Sequence, residues 1–359
     1  MNLNDYIEQG ISSIAAALAK FYLTDTDGSK FLMSLVPSLE NSAKRRDNYE
    51  KSGHHIPPFL IASIASQCNL RCAGCYARAD GMCSEGHAEK EMSSAEWNRI
   101  FGEASDLGIS FIILAGGEPL LRRETVKIAA DYSNMVFPIF TNGTLLDENY
   151  INLLEKHRNL IPVFSIEGEV AQTDLRRGEG VSKNIESAME KLLSRGILFA
   201  ASITVTNQNL NMVVSEHFLS GLRKLGCGAV FFVEYVPVES STERLILSDA
   251  ETEWLNEQIA NFKAEFLDMS VFAFPGDEKY MGGCLAAGRG FFHISPFGSA
   301  EACPFSPYSQ QNLKDHSMLE VLESSFFQEI REISKDGAKP HMGGCTLFNH
   351  ENEVRKLLL

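Results

Sequence analysis

The sequence predicts an α/β protein built on a parallel sheet, and three observations predict it. Between residues 58 and 240, short apolar runs suited to buried strands alternate with amphipathic stretches of helical period. Glycines stand where helices hand over to strands, at Gly108, Gly196 and Gly226. A chain of 359 residues, 44% hydrophobic and 22% charged, has the length and balance of a globular protein with a substantial core.

Taken in order, residues 1–57 read as an N-terminal helical extension. Ile7, Ile11, Ile14, Ala15 and Leu18 repeat at helical spacing, and a second helical stretch spans about 31–49. Its run Lys44-Arg45-Arg46 reads as a solvated face. Pro57 and Pro58 end the extension, and His54 and His55 before them read as surface residues of a linker. A first strand follows at 60–65. Ser93-Ser94-Ala95-Glu96 is a capping box that opens a helix with Trp97, Ile100, Phe101, Ala104 and Leu107 on one face. Further strands are predicted at 111–115 and near 136–141, 161–166, 198–204 and 229–235. Six strands alternating with helices fit a sheet curled as a partial (β/α)6, TIM-like barrel, and fit a flat doubly wound sheet equally.

The chemistry is concentrated in Cys68, Cys72 and Cys75, a C-x3-C-x2-C set on the loop after the first strand. Three thiolates can hold three corners of a cubic iron–sulfur cluster and leave one iron open for a ligand. A structural zinc site is the competing reading, but zinc prefers four ligands in paired C-x2-C units. Eight cysteines grouped by metal-ligand spacing fit a reducing cytosol better than a disulfide framework, so a cytoplasmic location is expected. A net charge of −15 argues against a nucleic-acid backbone as partner. No apolar run reaches the length of a membrane span, and the first helical stretch, with Asp5 and Glu8, lacks the features of a signal peptide.

The cysteine loop resembles the signature of the radical S-adenosylmethionine (radical SAM) superfamily. That resemblance favours the partial barrel. It also implies a [4Fe-4S] cluster on Cys68, Cys72 and Cys75, with S-adenosylmethionine reductively cleaved there to a 5′-deoxyadenosyl radical that abstracts hydrogen from substrate. One departure stands out: the family places an aromatic residue before the last cysteine, whereas this chain has Gly74 there and Tyr76 after it. Gly116-Gly117-Glu118-Pro119, directly after the second strand, reads as a tight βα turn that permits close backbone approach. It resembles the family's GGEP motif, which holds the amino group of the methionine moiety. By the same resemblance, Thr141 and Asn142 wall the cofactor, Ser165 and Glu167 meet the ribose, and Arg177 or its neighbour Arg176 meets the methionine carboxylate, for which a guanidinium is the matched group. Thr204 and Asn209 are further candidates at the next strand end.

Cys284 and Cys303 form a C-x13-G-x4-C set around an expected hairpin turning at Pro296-Phe297-Gly298, and Cys345 follows a helix over about 318–333. The set resembles the SPASM or twitch auxiliary-cluster modules and implies a second [4Fe-4S] cluster on Cys284, Cys303 and Cys345. Three unrelated buried cysteines is the plainer alternative. Cys83, Cys227, His341 and His350 remain possible fourth ligands, although Cys227 reads as a packed thiol. The expected organisation is thus 1–57, a barrel over 58–240, and a module over 241–359. The substrate is expected to be a small molecule or short peptide, with a flavodoxin or ferredoxin as reductant. The rival readings are a SPASM-type peptide- or protein-modifying maturase, and a non-catalytic metal-binding or electron-transfer protein.

Overall fold

The structure, a computed structural model, describes residues 11–22 (except 13, 17 and 20), 26–84, 89–237, 240–266, 268–274, 283–335 and 345–359. Its strands in chain order are β1 Phe59–Ala65, β2 Phe111–Gly116, β3 Phe137–Thr141, β4 Leu160–Ile166, β5 Ala200–Val205, β6 Ala229–Glu234, β7 Ser270–Phe274, β8 His293–Ile294 and β9 Ala300–Glu301. They form one sheet in the order β7-β6-β5-β4-β3-β2-β1-β8-β9. All pairs are parallel except β8 with β9.

The six expected strands are β1 to β6, and the sheet continues past both of them. β7 pairs with β6 and β8 pairs with β1, so the sheet crosses residue 240. Both additions are short, and a five-residue or two-residue strand has too few positions to show a period. The two ends of the curled sheet face one another through Phe274 of β7 and Phe291 just before β8, with ring centroids 5.6 Å apart.

Local chemistry sets the helix ends. Ser93 and Glu96 make both capping-box hydrogen bonds at the start of Ser94–Leu107, and Gly108 closes it at φ +90°. The predicted face of that helix, from Trp97 to Leu107, is buried in the main core. The helix expected over 318–333 is two, Met318–Leu322 and Ser325–Ser334. Ser324 divides them because its hydroxyl caps the Phe327 N–H.

The N-terminal extension covers the end of the barrel where the strands begin. Residues 11–22, where described, are helical, and Thr26–Lys51 is a helix longer than its periodic stretch suggested. Ile11, Leu18, Tyr22, Leu32, Leu35 and Leu39 form a second core with Phe111, Val136, Ile161 and Leu198. Those four partners lie at or just before the starts of β2 to β5, so the extension plugs this end. The basic run is not simply solvated: Arg46 is buried and donates to the Gly108 carbonyl at 2.6 Å and to Ser110 Oγ at 2.9 Å. A guanidinium offers enough donors to satisfy an αL turn from outside, and periodicity cannot reveal that use.

On the other side, β8 is held to β1 through its side chain. His293 donates or accepts at Ser63 Oγ through Nε2 (2.7 Å) and meets Glu301 Oε2 through Nδ1 (2.7 Å). All three are buried. The linker histidines are also engaged: His55 Nε2 lies 2.8 Å from the Arg289 carbonyl and His54 meets Glu323. Among the described residues no helix is long and apolar enough to cross a membrane.

Candidate active site

The C-terminal ends of the strands surround a cavity of about 820 Å3. Cys68, Cys72 and Cys75 line it beside Gly116, Gly117, Glu118, Asn142, Ser165, Arg176 and Arg177. Residues far apart in sequence meet because parallel strands present all their following loops at one end.

The paired glycines let two loops lie against each other. Gly117 N–H donates to the Ala65 carbonyl at 2.7 Å and Glu118 N–H to the Gln67 carbonyl at 2.8 Å. A Cβ on Gly117 would stand 2.1 Å from the Gln67 carbonyl oxygen, and one on Gly116 (φ +116°) 2.3 Å from that of Ala65. Neither position admits a side chain. The turn is thereby stitched to the strand end that launches Cys68.

Glu118 is 1% exposed. Its carboxylate accepts from Thr141 Oγ1 (2.7 Å), from the Asn142 N–H (2.9 Å) and from the Leu120 N–H (3.0 Å). Burial pushes its pKa up, and these three bonds oppose that shift. Pro119 is buried and begins the short 3-10 turn that presents the Leu120 N–H. Asn142 reaches the cysteine loop, donating to Asn69 Oδ1 at 3.0 Å, with Cys68 Sγ at 3.9 Å from the same nitrogen. Glu118, Thr141, Asn142 and Cys68 are thus one connected array.

Glu167 and the arginines stand differently from the sequence expectation. Arg176 Nη1 (2.6 Å) and Arg177 Nε (3.0 Å) both bond Glu167 Oε1, whose side chain is 5% exposed. The acid expected at the ribose and the guanidinium expected at a carboxylate neutralise each other here. Arg176 also holds the cysteine loop, donating from Nε to the Ala73 carbonyl at 3.0 Å, while Ala73 N–H returns a bond to the Arg176 carbonyl at 3.0 Å. Sequence reasoning did not foresee this clamp, because nothing local marks a pairing across about a hundred residues. Asn209 does not face the cavity. Its amide ties the Glu167 carbonyl (3.0 Å) to the Thr204 carbonyl (2.8 Å), joining the ends of β4 and β5. Thr204 does line the cavity, as does Ser202, which the sequence did not single out.

Burial raises two of the loop thiols: Cys68 is pushed up to about 11 and Cys72 is raised, the latter opposed by Arg177. Cys83 is buried and its charge is felt by Cys68, while Cys83 itself senses Cys75 and Cys72, so a fourth thiol stands in the neighbourhood. No group of three or more His, Cys, Asp or Glu among the described residues is gathered tightly enough for a single metal ion. A cubic cluster puts a separate iron before each thiolate, so its ligands stand farther apart than those of one ion. Three half-buried cysteines line one cavity, with an amide N–H at Cys68 (Leu70 N to Sγ, 3.4 Å), a donor set of the chemical kind that such a cluster takes.

Tyr76 joins this site to the second cysteine set. Burial pushes its phenol pKa up, with Cys75 and Cys303 both adding to the rise, and its ring meets Phe305 edge-on at 5.4 Å. Cys284, Cys303 and Cys345 are all buried. The expected hairpin is β8–β9, and Ala287 N–H donates to the Ala302 carbonyl at 3.1 Å, drawing the Cys284 segment onto the strand that leads to Cys303. Cys345 starts the short helix Thr346–Asn349. His350 pairs with Glu353 at 2.7 Å, and His341 lies outside the described residues. Cys227 is a packed thiol, as expected: it donates to the Ala229 carbonyl at 3.1 Å, and burial raises it to about 12.

A family model described as the radical SAM superfamily matches residues 63–215, from β1 through the cysteine loop to the segment after β5. The chain carries a radical SAM superfamily domain over these residues. It is a radical SAM enzyme with a SPASM/twitch-type C-terminal module, and it cleaves S-adenosylmethionine at an iron–sulfur cluster to a 5′-deoxyadenosyl radical that abstracts hydrogen. It is 25% identical to the AdoMet-dependent heme synthase of Methanosarcina barkeri over 77% of this chain and 85% of that protein. To the PqqA peptide cyclase of Rhizobium meliloti it is also 25% identical, over 81% of this chain and 82% of that one. The crystal structure of Streptococcus suis SuiB bound to S-adenosylmethionine superposes with a TM-score of 0.66 at 18% identity, covering 82% of this chain and 72% of the other, a likeness of fold.

Proposed function

We propose that Cys68, Cys72 and Cys75 hold the [4Fe-4S] cluster of this radical SAM enzyme, and that the cavity beside them is where the cofactor and the reacting part of the substrate meet. The observation that carries this reading is the convergence of all three cysteines with Gly116–Glu118 and Asn142 on one cavity. When bound, the cluster supplies the electron that cleaves the sulfonium. The chain's own residues do the rest. Glu118, fixed by three hydrogen bonds, is a preorganised acceptor for an ammonium group. Arg177, paired to Glu167 yet lining the cavity, would turn to a cofactor carboxylate, with Glu167 keeping Arg176; Ser165 and Thr204 offer hydroxyls to a sugar. The plugged lower end and the paired rings at the sheet edges keep water away from a reactive carbon.

The lumen below this polar rim points to the substrate. Phe140, Phe231, Phe272 and Phe274 line it, with Phe231 and Phe272 stacked at 5.0 Å. Among the described residues, the charged lining residues lie at the two ends: Glu118, Arg176, Arg177 and Glu234 above, Lys263 and Asp268 below. A phosphate would find no cation among the described residues in between. The substrate is therefore a small molecule or short peptide that presents an uncharged, apolar group to the radical. The heme synthase and peptide cyclase likenesses are compatible with either. Cys284, Cys303 and Cys345 would hold an auxiliary cluster, residues 1–57, 58–240 and 241–359 would act as plug, barrel and module, and a flavodoxin or ferredoxin would supply the electron. The test is anaerobic reconstitution with iron and sulfide, followed by S-adenosylmethionine and dithionite. Formation of 5′-deoxyadenosine is expected, and a fully clustered sample that makes none would remove the reading.

A further inference from the structure

Tyr235 is a buried polar group that the mechanism leaves unused. It follows β6 directly, and its N–H donates to the Val205 carbonyl at 2.9 Å, so its backbone is fixed. The side chain is 5% exposed and lines the cavity, yet its hydroxyl makes no hydrogen bond. A buried phenol without a partner carries a desolvation cost that a bound ligand would relieve.

The hydroxyl sits against the cysteine loop at its one irregular position. A Cβ built on Gly74 would lie 3.1 Å from Tyr235 Oη, 3.5 Å from Cε2 and 3.7 Å from Cζ. Gly74 also has φ +66°, a conformation that strains any other residue. The space that a side chain before Cys75 would fill is occupied by the edge of an aromatic ring arriving from the far side of the barrel.

We propose that Tyr235 is a positioning residue for the adenosine half of S-adenosylmethionine, its hydroxyl bonding a polar edge of the nucleoside beside Gly74. This rests on the radical SAM reading above. The methionine end is drawn to the Gly116–Glu118 side, so the nucleoside must extend away from it. Most of the remaining wall is aliphatic or aromatic, which cannot satisfy the nitrogens and hydroxyls of a nucleoside. Besides Asn142, which is bonded to Asn69, and Tyr76 in the cysteine loop itself, the uncharged polar side chains of the rim are Ser165, Ser202, Thr204 and Tyr235, on β4, β5 and the end of β6. Among those four, Tyr235 is the one whose unpartnered hydroxyl lies against Gly74 of the cysteine loop.

The test uses the full chain, reconstituted anaerobically, as wild type and as Tyr235→Phe, which keeps the ring and removes only the hydroxyl. Equilibrium dissociation constants are measured for S-adenosylmethionine, for 5′-deoxyadenosine with methionine present, and for methionine alone. Both nucleosides are expected to bind about three- to tenfold more weakly to the variant. Methionine affinity and iron content should be unchanged. Gly74→Ala should weaken nucleoside binding in the same sense by displacing the hydroxyl. Wild-type affinity of Tyr235→Phe for both nucleosides would overturn the proposal, whether the hydroxyl then serves the substrate or nothing. An equal loss of methionine binding would also overturn it, because the effect would then be a distorted loop. Failure of the underlying reading looks different: the wild-type protein itself would make no 5′-deoxyadenosine.

Discussion

The two cysteine sets are built on opposite plans. Cys68, Cys72 and Cys75 are half-buried, sit within eight residues of one another on one loop, and open onto the cavity. Cys284, Cys303 and Cys345 are buried and spread over more than sixty residues, the first two on segments joined at a hairpin and the third at the start of a short helix. The first set is exposed on one side, as a metal with a free coordination position requires. The second is enclosed, as suits a centre that is structural or passes electrons. Closeness in sequence made the first set visible at once. The second depends on tertiary contacts such as the bond from Ala287 to Ala302.

The sharpest way to break this contrast is to remove cysteines from each set in turn. Cys72→Ala should abolish 5′-deoxyadenosine formation and lose about four irons per chain, measured by iron assay and product chromatography. The double variant Cys284→Ala/Cys303→Ala should also lose about four irons but still cleave S-adenosylmethionine without substrate. Unchanged iron in that variant would mean that the enclosed set holds no cluster.

A smaller effect tests how each set is held in place. Arg176→Ala removes the bond to the Ala73 carbonyl and one partner of Glu167, so the first cluster should become more labile to chelator by several-fold, with the fold intact. The second set depends instead on the docking of β8. His293→Ala leaves Ser63 and Glu301 buried without their shared partner, and should cost about 1–3 kcal/mol of stability in chemical denaturation. The smallest effect is expected at the cysteine in neither set. With its thiol raised to about 12, Cys227 should resist alkylation at pH 8 in the native protein, and Cys227→Ala should leave the iron content unchanged. Rapid labelling there would show that this part of the core opens.

Much of the site was legible because its chemistry is local. The cysteine spacing, the paired glycines before Glu118 and the Asn142 turn each occupy a few consecutive residues at the end of a strand with a clear apolar pattern. Glu167 and Arg177 are legible as residues at the strand ends, but the bond between them is a matter of side-chain direction that the sequence does not carry. Asn209 is similar: its position after β5 is right, but its amide turns back onto two carbonyls. Arg46 looked like one more surface charge, since nothing in a helical repeat says that an αL turn from another segment will pack against it.

By itself the sequence determined the class of sheet, the first six strands, the capped helices and the loop that carries the three closely spaced cysteines, since each follows from period, turn chemistry or residue spacing over short distances. Only the tertiary structure decided that the sheet continues through β7 and β8, that the N-terminal helices plug one end, and that Tyr235 stands where Gly74 leaves room. Those outcomes depend on which distant surfaces come together. Such meetings are set by packing over the whole core, where no single stretch of chain carries the information.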